Sequence, residues 1–190
     1  MTAILDRIAA ATLRPDESRQ VFRAVLDALS RPGRIVRLPE RPGVPAVLLP
    51  VLALADLGTT VAVLDEGEDW ADAVGVVTSA PAAETGSARF VAATRPMTGD
   101  ELRAVGRGSA FAPEEGALVC LAVSEVDGED WELSGPGIPG TVRLSGVDGL
   151  LAARAEAVAG YPAGIDLLLI APDGRMAGIP RTTVIEGSER

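Results

Sequence analysis

Apolar positions recur at helical spacing most clearly over residues 16–31, where Val21, Phe22, Val25, Leu26 and Leu29 share one face. Asp16, Glu17 and Ser18 supply acid and capping groups at its start, and Pro32-Gly33 ends it. Arg19, Arg23, Asp27 and Arg31 follow at i,i+4 steps on the opposite face, the pattern of a solvated stripe with weak ion pairs. Alternation predicts a strand over 34–38, and three prolines within 37–45 predict a loop. Residues 46–56 suit a buried helix, in which Pro50 is tolerable only in the first turn. A short apolar strand is expected at 60–64, a helix over 68–77 stopped by Ser79-Ala80-Pro81, and a strand at 89–93. Thr98-Gly99-Asp100-Glu101 has capping-box spacing and opens a helix running to about residue 105. The run 116–126 reads as a continuous apolar strand, with Asp127-Gly128 turning it into an answering strand at 131–133. A helix over 145–159 and a buried strand at 165–171 follow. Pro172-Asp173-Gly174 then turns the chain into 175–179, and 182–185 closes the pattern.

Helices alternate with strands, and several strands are apolar on both faces. That arrangement predicts an α/β fold: a mixed, mostly parallel sheet flanked by helices rather than an all-β barrel. No repeat or charge block divides the chain. The expectation is one domain over 1–190, with 1–15 as an N-terminal extension. A chain of 190 residues, 47% hydrophobic, buries roughly 70% of the surface its unfolded form exposes, so it needs no disulfide or metal staple. Aromatics are only 3%, which leaves the core to Ala, Val, Leu and Ile.

What is absent narrows the chemistry. All 17 basic residues are arginine; there is no lysine, histidine or asparagine. Without histidine there is no Ser-His-Asp or Cys-His pair, and with a single cysteine, Cys120, no thiolate/imidazole zinc site. Without lysine there is neither a Schiff base to pyridoxal phosphate nor a P-loop lysine. Neither a cofactor nor a metal is therefore expected. A net charge of −10 opposes nucleic acid and anionic membrane surfaces but leaves room for a local arginine pocket. The first residues, MTAILDRIAAATL, lack a basic n-region, and Asp6 interrupts them, so no signal peptide is read there. The longest charge-free apolar run, 44–55, falls short of the ~20 residues of a spanning helix. One cysteine cannot form an internal disulfide, which suits a reducing, cytoplasmic setting.

Among candidate sites, Gly135-Pro136-Gly137-Ile138-Pro139-Gly140 formally matches G-x-G-x-x-G. Two prolines remove amide donors from it, and the extended Thr141-Val142-Arg143-Leu144 follows where a helix should open, so it reads as a structural loop. Cys120, inside an apolar strand, reads as core. Asp166 stands at the mouth of a buried strand and needs partners; it is either a structural acid holding a loop or Arg181, or a site acid. Arg181, Thr182 and Thr183 place a guanidinium and two hydroxyls together after a turn. Such a group holds a phosphate or carboxylate, or pins the chain's end to the sheet. Gly106-Arg107-Gly108-Ser109, with Glu114 and Glu115 beyond, is a loop with small donors and two acids. No carboxylate pair is assignable to acid and base roles, and the catalytic residues stay unknown.

Three stretches in this order resemble one family. They are Phe22-Arg23 with Ala28-Leu29-Ser30-Arg31-Pro32-Gly33, then Gly108-Ser109 with Pro113-Glu114-Glu115-Gly116-Ala117, then YPAGIDLLLIAPDGRMAGIPRTT over 161–183. Together they are similar to the PhnH family of the bacterial carbon–phosphorus lyase system, in which the position of Ser109 is associated with threonine. The resemblance implies a subunit of a core complex with the G, I and J subunits. That assembly makes ribose 1-phosphonate 5-triphosphate from ATP and a phosphonate, with loss of adenine, before radical C–P cleavage. It also implies a homodimer with the fold of the large domain of pyridoxal-phosphate-dependent transferases but without the cofactor. Asp166, Arg181 and Thr182 match its motif as motif members, not as demonstrated catalysts. Two other functions stay open: a free-standing enzyme using carboxylates and arginine, and a binding module for a small anion, with ATP or a phosphonate as candidate ligands.

Overall fold

A computed structural model describes residues 2–67, 70–147 and 149–187. Six strands form the main sheet: β1 (Val36–Arg37), β2 (Val61–Leu64), β3 (Phe90–Ala93), β4 (Leu118–Ala122), β7 (Asp166–Ile170) and β8 (Arg175–Ile179). Their order is β1-β8-β7-β4-β3-β2. The run β2-β3-β4-β7 is parallel; β8 is antiparallel to β7, and β1 to β8. The mixed, mostly parallel α/β sheet expected from the pattern is therefore present. Strands β5 (Trp131–Ser134), β6 (Val142–Leu144) and β9 (Val184–Gly187) form a separate antiparallel sheet in the order β6-β5-β9. This corrects one expectation: 131–133 does not answer the strand before it but pairs with 142–144 and 184–187. Of the longer apolar run 116–126, Leu118–Ala122 forms the strand, lying between parallel neighbours on both sides.

Both faces of the sheet are covered, which is why its strands are apolar at consecutive positions. Leu118, Cys120, Leu168 and Ile170 pack on one side with α1 (Thr2–Ala11), α2 (Pro15–Ser30), α3 (Leu49–Leu54) and α4 (Trp70–Thr78). Val119, Leu121, Leu167 and Leu169 pack on the other with α5 (Gly99–Arg103), α6 (Leu151–Val158) and the small sheet. Pro50 falls in the first turn of α3, after a short 3-10 turn over Ala46–Leu48. The capping box at Thr98 forms as its spacing requires, with Glu101 N–H donating to Thr98 Oγ1 and Thr98 N–H to Glu101. The helix expected over 145–159 is confined to Leu151–Val158, and that expected over 68–77 begins at Trp70, its first two positions lying outside the described residues.

Helix α2 packs differently from the reading of its five apolar positions. Val21, Val25 and Ala28 are buried, whereas Phe22 and Leu26 are 45% and 53% exposed. The helix is rolled because it sits on β8 at Gly178: a Cβ there would overlap the Ala28 carbonyl, so small residues on both elements set the approach. The N-terminal segment also folds onto the core. Ala11 is fully buried, and Arg41 caps the end of α1 by donating to the Ala10 and Thr12 carbonyls at 2.8 Å each while pairing with Glu17 at 2.9 Å. No helix among the described residues is long and apolar enough to cross a membrane.

Candidate functional site

The β7–β8 hairpin turns at Pro172-Asp173-Gly174, and its register sets Leu167 opposite Ile179. The next positions outward bring Asp166, the first residue of β7, beside Arg181. The guanidinium grips the carboxylate with two bonds, Nη2 to Oδ2 at 2.7 Å and Nε to Oδ1 at 3.3 Å, and the Arg181 backbone N–H adds a third at 2.8 Å. Nη1 is also used, donating to the Pro113 carbonyl at 2.8 Å and the Pro162 carbonyl at 3.1 Å. Arg181 thus ties the sheet to the 106–116 and 160–164 loops and spends most of its five donors within the fold. The same crossing makes Gly116 obligatory, since a Cβ there would overlap the Gly164 carbonyl.

Thr183 is buried, and its hydroxyl has no partner among the described residues. Its backbone N–H shares the Pro180 carbonyl with Nη2 of Arg154, each at 2.9 Å. Thr182 is half-buried and makes no side-chain hydrogen bond among the described residues. Ser109 lies apart from this group on an exposed loop, its Oγ accepting from Ala112 N–H at 3.1 Å. The structure therefore brings Asp166 and Arg181 together with Thr183 close by, and among the described residues Ser109 makes no hydrogen bond to any of them.

Ser109 instead lines a cleft of about 540 Å³ at the amino ends of the parallel strands, with Thr60, Ser87, Arg89, Arg107 and Glu115. Arg89, just before β3, donates to the Gly116 carbonyl at 2.6 Å. Arg107 donates to the Glu156 and Arg103 carbonyls at 3.0 and 3.3 Å. Burial pulls the Arg89 guanidinium below its ordinary value, opposed by the charge of Asp166 and reinforced by that of Arg181. Burial does the same to Arg154, again opposed by Asp166. Three arginines thus gather in the field of one carboxylate. The sequence reading missed Arg89 and Arg154; Arg89 stood in its predicted strand, and Arg154 stood unremarked within a predicted helix.

Ligand sites of open α/β sheets ordinarily lie at the carboxyl ends of the strands. There, the charged groups after β3 are committed to each other: Arg95 pairs with Glu101 at 2.6 Å. The remaining motif readings resolve simply. Residues 135–140 lead into β6 and not into a helix, so no dinucleotide turn forms. Cys120 is fully buried, and burial pushes its thiol up to about 12. Among the described residues no three acidic or cysteine side chains are placed to hold a metal ion.

No curated protein matches the chain. A family model described as bacterial phosphonate metabolism protein (PhnH) matches residues 10–186, which takes in every element from α2 to the last strand, the Asp166–Arg181 pair and the whole cleft. On that match, extending over almost all of its 190 residues, the chain belongs to the PhnH family of bacterial phosphonate metabolism proteins.

Proposed function

We propose that the chain acts as a non-catalytic subunit of the carbon–phosphorus lyase core assembly. In this reading it joins the G, I and J subunits in the cytoplasm. There it assists formation of ribose 1-phosphonate 5-triphosphate from ATP and a phosphonate, and is a homodimer when free. Residues 1–190 act as one α/β domain, with 1–15 as an N-terminal arm, related to the large domain of pyridoxal-phosphate-dependent transferases. With no lysine in the chain, that cofactor could not be anchored covalently.

The observation that carries the proposal is the family match across residues 10–186. Two features support an assembly role over independent catalysis. The motif's charged residues are held by each other and by backbone, and no histidine or lysine supplies a proton carrier tuned near neutral pH. The chain has only six aromatic residues, yet Phe22, Phe111 and Tyr161 are 45%, 101% and 69% exposed. Exposed aromatics are enriched where proteins meet partners.

Native mass spectrometry of the chain alone and co-expressed with the G, I and J subunits tests the proposal. The expected result is a dimer alone that enters a stable mixed complex. A chain that ignores all three subunits refutes it.

A further inference from the structure

Most described arginines in this chain sit beside a carboxylate, as a net charge of −10 makes easy. Arg89, Arg107 and Arg154 are held differently: among the described residues each donates only to backbone carbonyls, and the carboxylates near them act through charge alone, Asp166 and Glu114 on Arg89, Asp166 on Arg154 and Glu156 with Arg107. Burying a guanidinium without a counter-charge is costly. Here that cost falls on Arg89 and Arg154, both in the field of Asp166, whose carboxylate is already gripped by Arg181. Arg154 is 6% exposed, and its Nε is buried without a partner among the described residues.

The cleft lined by Arg89 and Arg107 has a shape and chemistry to match. Its volume of about 540 Å³ falls in the range of small-molecule sites. Arg89 and Arg107 supply fork donors, and Thr60, Ser87 and Ser109 supply hydroxyls. Gly106 and Gly108 let backbone come close. Guanidinium forks with hydroxyl and amide donors are the groups that hold tetrahedral oxyanions. One group argues the other way: Glu115 also lines the cleft, and it sets the direction of a test.

We propose that this amino-end cleft, and not the Asp166–Arg181 pair, is a binding site for a phosphoryl or phosphonyl group, held by Arg89 and Arg107 with Ser109 and Thr60. The inference uses the family reading only to choose probes. It concerns the chain on its own, so it can fail while assembly with partners succeeds, and the reverse.

The experiment is calorimetric titration of the full chain, without partners, with inorganic phosphate, methylphosphonate and ATP. Wild type is compared with R89Q, R107Q, S109A and E115Q. Saturable binding is expected for at least one probe. R89Q and R107Q should weaken it by about tenfold or more, and S109A by a few-fold. E115Q should strengthen it by a few-fold, because it removes a like charge from the cleft. Preference among the probes distinguishes a phosphate, a phosphonate or a nucleotide polyphosphate as the source of the group, and any of these supports the site. Because Arg89 and Arg107 also brace loops, S109A and E115Q, both at exposed positions, keep the test decisive if the arginine variants do not fold. No saturable binding by any probe, or binding indifferent to both S109A and E115Q, overturns the proposal.

Discussion

Truncating Arg181 to alanine should unfold the molecule's amino-end architecture before it touches any chemistry, and the size of the effect can be worked out. The guanidinium makes two bonds to Asp166, at 2.7 and 3.3 Å, and one each to the Pro113 and Pro162 carbonyls. Its side chain is 13% exposed and that of Asp166 is 23%. Removing one partner of a well-buried pair costs about 3–5 kcal/mol. Residual solvent access places this pair at the low end, at about 3 kcal/mol. For a chain of this length each kcal/mol shifts Tm by about 2–4 °C, so R181A should melt about 6–12 °C below wild type. R181K keeps the charge but cannot fork, and should fall between the two. The apolar double variant R181M/D166L leaves no unpaired charge and should recover part of the loss. Urea denaturation and scanning calorimetry on all four proteins give the comparison. An R181A loss under about 1 kcal/mol, or R181M/D166L at or below R181A, would refute the clamp.

Three further outcomes follow from the packing and the charges. Cys120, fully buried with its thiol pushed to about 12, should resist a thiol reagent in the native protein and react at once in denaturant, as absorbance or mass labelling will show. The Arg95 side chain and the Thr98 N–H hold Glu101 down at about 2, below its ordinary 4.5. Because the folded value is the lower one, its stabilisation is full above about pH 4.5 and lost as pH falls toward 2; the Tm gap between wild type and E101Q should close over that window. G178A should cost at least about 1–3 kcal/mol by chemical denaturation, because the added methyl overlaps the Ala28 carbonyl and pushes α2 off β8.

The strand and helix pattern was legible because burial on both faces leaves continuous apolar runs, and most elements lie where the runs are. What the pattern could not carry was partnership between strands. Asp127-Gly128 is a good turn signal, yet Trp131–Ser134 pairs with residues far along the chain, since register over such distances is decided by packing and not by the local turn. The roll of α2 was hidden for a similar reason: Phe22 and Leu26 are as apolar as Val21 and Val25, and only the closeness of Ala28 to Gly178 decides which pair faces inward. At the site, the Asp166–Arg181 contact was within reach of arithmetic. Reflection of the β7–β8 hairpin about Asp173 sets 166 opposite 180, one residue from Arg181. The cleft was not within reach, because Thr60, Arg89 and the Arg107–Ser109 stretch come from three separate connections whose meeting depends on the order of strands in the sheet.

The stretch 161–183 also has a clear part in holding the fold together. Its two charged ends close on each other across a tight hairpin, which fixes Arg181 in place. Arg181 then holds the Pro113 and Pro162 carbonyls, and so fixes the two loops that display Phe111 and Tyr161. The first of these loops also carries Arg107 and Ser109, and its end supplies the Gly116 carbonyl that orients Arg89. Each link narrows the freedom of the next. A change at Asp166 or Arg181 should therefore be felt at the cleft as misplaced donors and at the surface as misplaced aromatics, both through the loops that one ion pair holds.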